Sequence, residues 1–288
     1  MNAAILDLVA RRNPVTVEDY DRALREAIQF VALLGLWRAR FFEHAAFYGG
    51  TALRILHGLP RFSEDIDFSL LESDSDFSLR SYLDAVSREL EAFGFTCSVQ
   101  GRERPYGSSM ESAFVRANTR KHILQITPTS GLAERLPTNQ LLKVKLELDT
   151  EPPGGFSTEA QAVIDPVPFH VRTYVLPDLF AGKMHSVLCR RWGTRVKGRD
   201  WYDLIWFLRR GTPLHLEHLQ ERMRQSGNWT TEEPLDLPAF RRIYEETVAQ
   251  TDFSRAVQDV LPFIADQREL DGWEQALFHS LSERFRSL

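Results

Sequence analysis

Asp65 and Asp67 stand one residue apart in the stretch Ser63-Glu64-Asp65-Ile66-Asp67-Phe68. Successive side chains of a β-strand alternate faces, so both carboxylates would point one way while Ile66 and Phe68 point into a core. Two carboxylates side by side repel each other unless a cation sits between them. Magnesium takes oxygen ligands, commonly one or two carboxylates completed by substrate phosphates. An Asp-x-Asp strand can therefore seat the metal ions of phosphoryl transfer. Taken alone, the same pattern also describes an exposed polar strand face.

A second element lies upstream, in Phe47-Tyr48-Gly49-Gly50-Thr51-Ala52-Leu53. Gly49 and Gly50 let a phosphate approach the backbone with no Cβ in the way. They also open a helix, whose first amide groups attract anions. Thr51 adds a hydroxyl. A Gly-Gly pair before a helix is often only a turn. Followed by one helix, a loop and Asp-x-Asp, it is far more specific than either half.

The surrounding elements must present these residues. Val17 to Phe41 has helical periodicity, with Thr16 as cap and Glu18 and Asp19 in the first turn. Ala45–Tyr48 and Ile66–Leu71 read as strands, Thr51–Leu56 and Leu79–Phe93 as helices. Phe95–Gln100, Ser112–Ala117, His122–Thr127, Leu141–Asp149 and Val163–Val171 read as further strands between Gly, Pro and Asn turns. Beyond Pro177 the strand signals stop and helices follow: Leu179–Arg191, Asp200–Arg210, Leu216–Gln225, Ala239–Gln250, Phe253–Phe263 and Gly272–Arg286. The expected class is α+β: a mixed sheet flanked by helices over residues 1–175, then a helical region over 176–288.

Composition excludes several other classes. The chain has 288 residues, 43% hydrophobic and 26% charged, as a folded domain requires. Its net charge of −5 argues against a surface coated in basic residues, though not against a local basic cleft. Asp7 interrupts the first apolar stretch and Arg11 and Arg12 follow it, so no leader peptide is expected. The richest apolar run, Ile28–Trp37, is too short to span a bilayer, so no membrane association is expected. Cys97 and Cys189 form no ligand cluster, and a reducing cytoplasm is the simplest compartment.

The Gly-Gly turn, short helix and Asp-x-Asp strand resemble the signature of polymerase β-type nucleotidyltransferases. With them come Arg61-Phe62-Ser63-Glu64-Asp65-Ile66-Asp67-Phe68, Lys145-Leu146-Glu147, Pro177-Asp178-Leu179-Phe180-Ala181-Gly182-Lys183 and Arg199-Asp200-Trp201-Tyr202-Asp203-Leu204, in that order. Together they are similar to the AbiEii/AbiGii family of nucleotidyltransferase toxins, which includes the MenT proteins. The likeness runs from about Tyr48 to Leu208; beyond it the chain matches only in being helical.

That resemblance implies a third acid on a later strand. Alternation over Leu141–Asp149 puts Lys143, Lys145, Glu147 and Asp149 on one face. Glu147 is the choice, because Asp149 ends the strand beside the Pro-Gly loop; a charged solvent face is the other reading. The resemblance also assigns Lys183 to the nucleotide's triphosphate, although a lysine snorkelling beside Leu179 and Val187 fits the same spacing. Of Asp200 and Asp203, Asp203 is taken as the active-site acid and Asp200 as structural; either could cap or complement the helix start. Ser63 lies two residues before Asp65, and in some relatives the matching serine is phosphorylated, which silences the enzyme. It could equally cap the turn after Pro60.

The expected chemistry follows. Gly49, Gly50, Thr51, Ser63 and Lys183 would hold a nucleoside triphosphate. Asp65, Asp67 and Glu147 would hold Mg2+, and NMP would pass to an acceptor. The resemblance implies an RNA acceptor, with the tRNA 3′ end as the expected one, a toxin's role and a cognate antitoxin. From Lys183 to Arg210 basic residues are interleaved with Trp192, Trp201, Tyr202 and Trp206; Trp201 and Trp206 fit a helix core, and Arg190 to Arg199 is the candidate RNA contact. Transfer to a protein or small-molecule hydroxyl, or a non-catalytic nucleotide-binding module, stays open.

Overall fold

The computed structural model describes residues 2–102, 110–118, 141–189 and 196–288. The chain divides into two compact units. An α+β unit comprises Met1–Leu56, Glu64–Pro152 and Ala160–Thr173; a helical unit comprises His57–Ser63, Pro153–Glu159 and Tyr174–Leu288.

In the α+β unit, α1 (Ala3–Ala10) is capped by Asn2. Helix α2 (Val17–Arg38) starts at a reciprocal cap: the Asp19 amide donates to Thr16 Oγ1 at 3.1 Å and the Thr16 amide to Asp19 Oδ2 at 3.0 Å. Its central turns bury Ile28, Phe30, Val31 and Leu34. Each such side chain stabilises the fold by about 1.5–3 kcal/mol.

These residues pack on α4 (Arg80–Ala92) and on a mixed sheet that has, among the described residues, seven strands in the order β3-β4-β5-β2-β1-β7-β6. The strands are β1 (Ala45–Tyr48), β2 (Ile66–Leu70), β3 (Cys97–Arg102), β4 (Met110–Asn118), β5 (Leu141–Asp149), β6 (Thr158–Val163) and β7 (Phe169–Tyr174). Central strand β2 runs antiparallel to β1 and parallel to β5; β1 runs parallel to β7. Phe47, Phe68, Leu146 and Leu148 point to the core. Between β1 and β2 comes α3 (Gly49–His57).

The expected strand Val163–Val171 is two strands, β6 and β7. Pro166 and Pro168 separate them, because neither can donate to a ladder. The expected strand His122–Thr127 lies outside the described residues.

The helical unit is built from α5 (Leu176–Cys189), α6 (Gly198–Arg209), α7 (Leu216–Gln225), α8 (Leu237–Gln250), α9 (Phe253–Val260) and α10 (Gln275–Ser280). The expected helix Gly272–Arg286 is confined to α10 and a 3-10 turn at Ser282–Arg284. Its core is aromatic. Phe253 stacks on Phe278 with centroids 4.0 Å apart, and Trp201 meets both edge-on at 4.9 and 5.0 Å. Phe180 stacks on Phe207 at 4.5 Å. α6 begins hard against α9: a Cβ on Gly198 would lie 1.8 Å from the Ala256 carbonyl oxygen. Among the described residues, no helix is long and apolar enough to cross a membrane.

Two histidines of this unit serve as neutral packing groups. His218 is fully buried, with Nδ1 2.8 Å from the Gly154 carbonyl. Burial first, and Arg222 next, push its pKa down to about 3. Burial likewise pushes His57 down to about 4. The unfolded chain protonates both near 6.5, while the folded unit resists until well below that. Their contribution is therefore complete above pH 6.5 and is lost as pH falls toward 4 and 3. Urea midpoints measured from pH 8 to pH 4.5 should fall in the parent protein, and less steeply in His218→Asn. An equally steep acid limb in both would contradict this assignment.

Candidate active site

The α+β unit brings together the first set of functional residues. In the register of β2 with β5, Asp67 lies opposite Glu147, flanked by the pairs Ile66–Leu146 and Phe68–Leu148. The flanking pairs are buried, while Asp67 and Glu147 are partly exposed. On the other side Asp67 pairs with Tyr48, the residue before Gly49. Strand pairing thus places two acids side by side at the point where β1 turns into α3.

Gly49 has φ +80°, a left-handed conformation that favours glycine. A Cβ there would lie 2.2 Å from Asp67 Oδ2 and 3.0 Å from Asp67 Cγ. The Asp67 carboxylate therefore rests directly on the backbone that opens α3. Asp65 sits just before β2 and is partly exposed. Thr51 is fully buried, and its hydroxyl donates to the Asp65 carbonyl. This holds the backbone that carries the first acid. The neighbouring Glu64 carbonyl accepts from Gln29 Nε2 at 3.1 Å.

Lys145, two residues before Glu147 on the same face, forms an ion pair with it. Among the described residues, no three His, Cys, Asp or Glu side chains converge as a metal cluster. The fit to a hard cation rests instead on two adjacent carboxylates at a bare glycine. Magnesium asks little more of a protein when phosphates complete its shell.

The helical unit holds the second set. Lys183 on α5 lies 3.3 Å from Asp200 Oδ1 and 2.7 Å from Asp203 Oδ2, both on α6. Arg61 closes on the other side of Asp203: Nε donates to Oδ1 and Nη2 to Oδ2, each at 2.6 Å. A third donor, Arg61 Nη1, reaches the Phe62 carbonyl at 2.9 Å. The Asp203 side chain has no solvent exposure, and Arg61 has 2%. Burial alone would raise the Asp203 carboxyl, but Arg61 and Lys183 outweigh it and hold it below the usual carboxylate range. Burial also opposes the Arg61 charge; Asp203 reverses that and leaves the guanidinium above its ordinary value. Removing one partner of such a pair would cost about 3–5 kcal/mol, because the other charge stays buried.

Arg61 does not stand out in the sequence as a functional residue. The available signal was its place in Arg61-Phe62-Ser63-Glu64-Asp65, but one arginine before a turn names no partner. Ser63 is buried, and strand pairing begins only at Ile66. Asp200 and Asp203 both face Lys183, so the helix-start acids are not simple caps. Of the candidate RNA segment, residues 190–195 lie outside the described residues. Arg199 stacks over the Phe263 ring at 4.1 Å.

In this mixed sheet α3 opens on an acid of the central strand, and the family match makes the protein a nucleotidyltransferase. Residues 31–279 match the profile of the nucleotidyl transferase AbiEii toxin family, of type IV toxin–antitoxin systems, and the chain belongs to that family. Its fold is similar to that of JHP933 from Helicobacter pylori. That structure gives a TM-score of 0.50 at 17% identity, covering 91% of this chain and 94% of that one. A second H. pylori structure, provisionally described as a nucleotidyltransferase, gives 0.45 at 20% identity, with 90% and 95% covered. No curated protein matches the chain.

Gly49→Ala should damage the enzyme more than a one-carbon change suggests. The new Cβ meets Asp67 Oδ2, and the backbone at φ +80° is strained for alanine. A loss of melting temperature together with a large loss of transfer activity is expected. Unchanged melting and activity would show that α3 does not open against Asp67.

Proposed function

We propose that the protein transfers NMP from a nucleoside triphosphate to an RNA acceptor, with Mg2+ held by Asp65, Asp67 and Glu147. The observation that carries this is the Asp67–Glu147 register beside Gly49. Bound there, the metal would supply charge neutralisation to the phosphates. The amides that open α3 at Gly49 and Gly50 would receive phosphate oxygens, as helix starts do. The bare glycine backbone leaves room for that approach. Thr51 acts indirectly, by holding the Asp65 backbone. Lys183 would contact the triphosphate as a point charge. The acceptor oxygen then attacks the α-phosphate in line, and pyrophosphate leaves.

The toxin's role and the antitoxin come from family membership. The RNA acceptor, with the tRNA 3′ end as its specific form, is our reading from the sequence resemblance. Such an acceptor places the enzyme's work in the cytoplasm. Ser63, two residues before Asp65 in sequence, is the position at which a phosphate would add negative charge and oppose nucleotide binding.

The test is incubation with each α-labelled triphosphate, Mg2+ and total RNA. Label should enter an RNA band of tRNA size. Label entering protein instead would move the acceptor to a protein hydroxyl, and no label anywhere would leave the family's chemistry unsupported here.

Asp67→Ala should lower transfer by about a thousandfold or more, as the loss of an electrostatic stabiliser of the transition state does. Its melting temperature without metal should hold or rise, since the change relieves like-charge crowding with Glu147. Retained transfer in Asp67→Ala would exclude it as a ligand.

A further inference from the structure

We infer that Arg61 is a positioning residue for the triphosphate, acting through Asp203 on Lys183. This rests on the reading that Lys183 meets the triphosphate, and it assigns Asp203 to orienting that lysine rather than to the metal.

The argument starts from donor and acceptor counts. An ammonium group has three donors. Lys183 directs two of them at Asp200 and Asp203, at 3.3 and 2.7 Å, which fixes the direction of the third. That third donor is what a phosphate oxygen would meet. Its aim is only as good as the placement of the two carboxylates.

Asp203 cannot place itself. The terminal torsion of an aspartate is broad, so its carboxylate plane must be set from outside. The Arg61 fork does this with two bonds of 2.6 Å, one to each oxygen. Oδ2, the oxygen that meets Lys183, is thereby shared between Arg61 Nη2 and Lys183 Nζ. The planar guanidinium suits this task in a way an ammonium does not.

Charge gives a second, independent reason. Lys183, Asp200 and Asp203 alone carry one net negative charge, which would repel a triphosphate. Arg61 brings the group of four to neutrality, and all four side chains are at most 14% exposed, where screening by water is weak. Lys183 then faces a phosphate with its charge offset by no surplus acid. Arg61 needs no contact with the nucleotide for either effect.

The test compares KM for the triphosphate with kcat in four proteins: the parent, Lys183→Ala, Arg61→Lys, and the double variant Arg61→Met with Asp203→Asn. The double variant removes both buried charges together, so it keeps folding separable from function; melting curves check that each protein is folded at the assay temperature. Arg61→Lys keeps the charge and loses the fork. Both Arg61 variants should raise KM by about tenfold or more with a smaller change in kcat, in the direction of Lys183→Ala. Direct binding of inorganic tripolyphosphate, followed by calorimetry, should weaken in the same order. If Lys183→Ala is impaired while the folded double variant keeps the parent KM and tripolyphosphate affinity, Arg61 is only a structural clamp and the inference fails. If Lys183→Ala itself behaves as the parent, the lysine does not meet the triphosphate, and both the inference and the reading beneath it fail.

Discussion

The parallel pairing of β2 with β5 is the constraint on which the α+β unit's chemistry depends. Strand alternation decides which face each residue takes, but only register decides which residues become neighbours. Here register sets Asp67 opposite Glu147 and threads Ile66, Phe68, Leu146 and Leu148 into the core on the other face. A shift of one residue would bury the acids and expose the apolar set. The hydrophobic core therefore enforces the acid pair, and its repulsion is tolerated because register slippage would cost far more. Lys145 beside Glu147 takes up part of the charge without a metal.

The helical unit solves a different problem. Arg61, Lys183, Asp200 and Asp203 are charges removed from water, which is costly unless each is paired. They compensate one another, and the bidentate Arg61–Asp203 contact satisfies the most deeply buried member. Stability alone does not call for such a cluster, since well-packed apolar side chains commonly do as well. Its presence beside an aromatic core fits a working site better than a packing device. One short stretch of sequence feeds both sets: Arg61 and Asp65 are four residues apart.

Much of this was legible in the residue order, for physical reasons. The period-two pattern of Leu141–Asp149 gave strand β5 at its observed bounds, because alternation between a core face and a polar face is a local property. The Thr16 cap gave the start of α2, again from residues within one turn. Glu147 could be proposed as a neighbour of the Asp-x-Asp strand only by resemblance, since nothing local states that β5 pairs with β2. Arg61 heads one of the matched stretches, but its role was not legible: its partner is 142 residues away, and a bidentate contact leaves no periodic trace. The split of β6 from β7 could have been read from Pro166 and Pro168, whose missing donors end a ladder. The place of Thr51 after two glycines suggests a phosphate contact; that its hydroxyl donates to the Asp65 carbonyl was not legible, because that partner is 14 residues on.

The central claim is that the carboxylates on this sheet serve attack at the α-phosphate. Parallel reactions with α-labelled and γ-labelled triphosphate, Mg2+ and total RNA test it most directly. The account requires α-label to become covalently attached to RNA while γ-label appears only in pyrophosphate. Transfer of γ-label to RNA would make the protein a kinase, and release of γ-label as free phosphate without α-label transfer would make it a phosphatase; either result would contradict it.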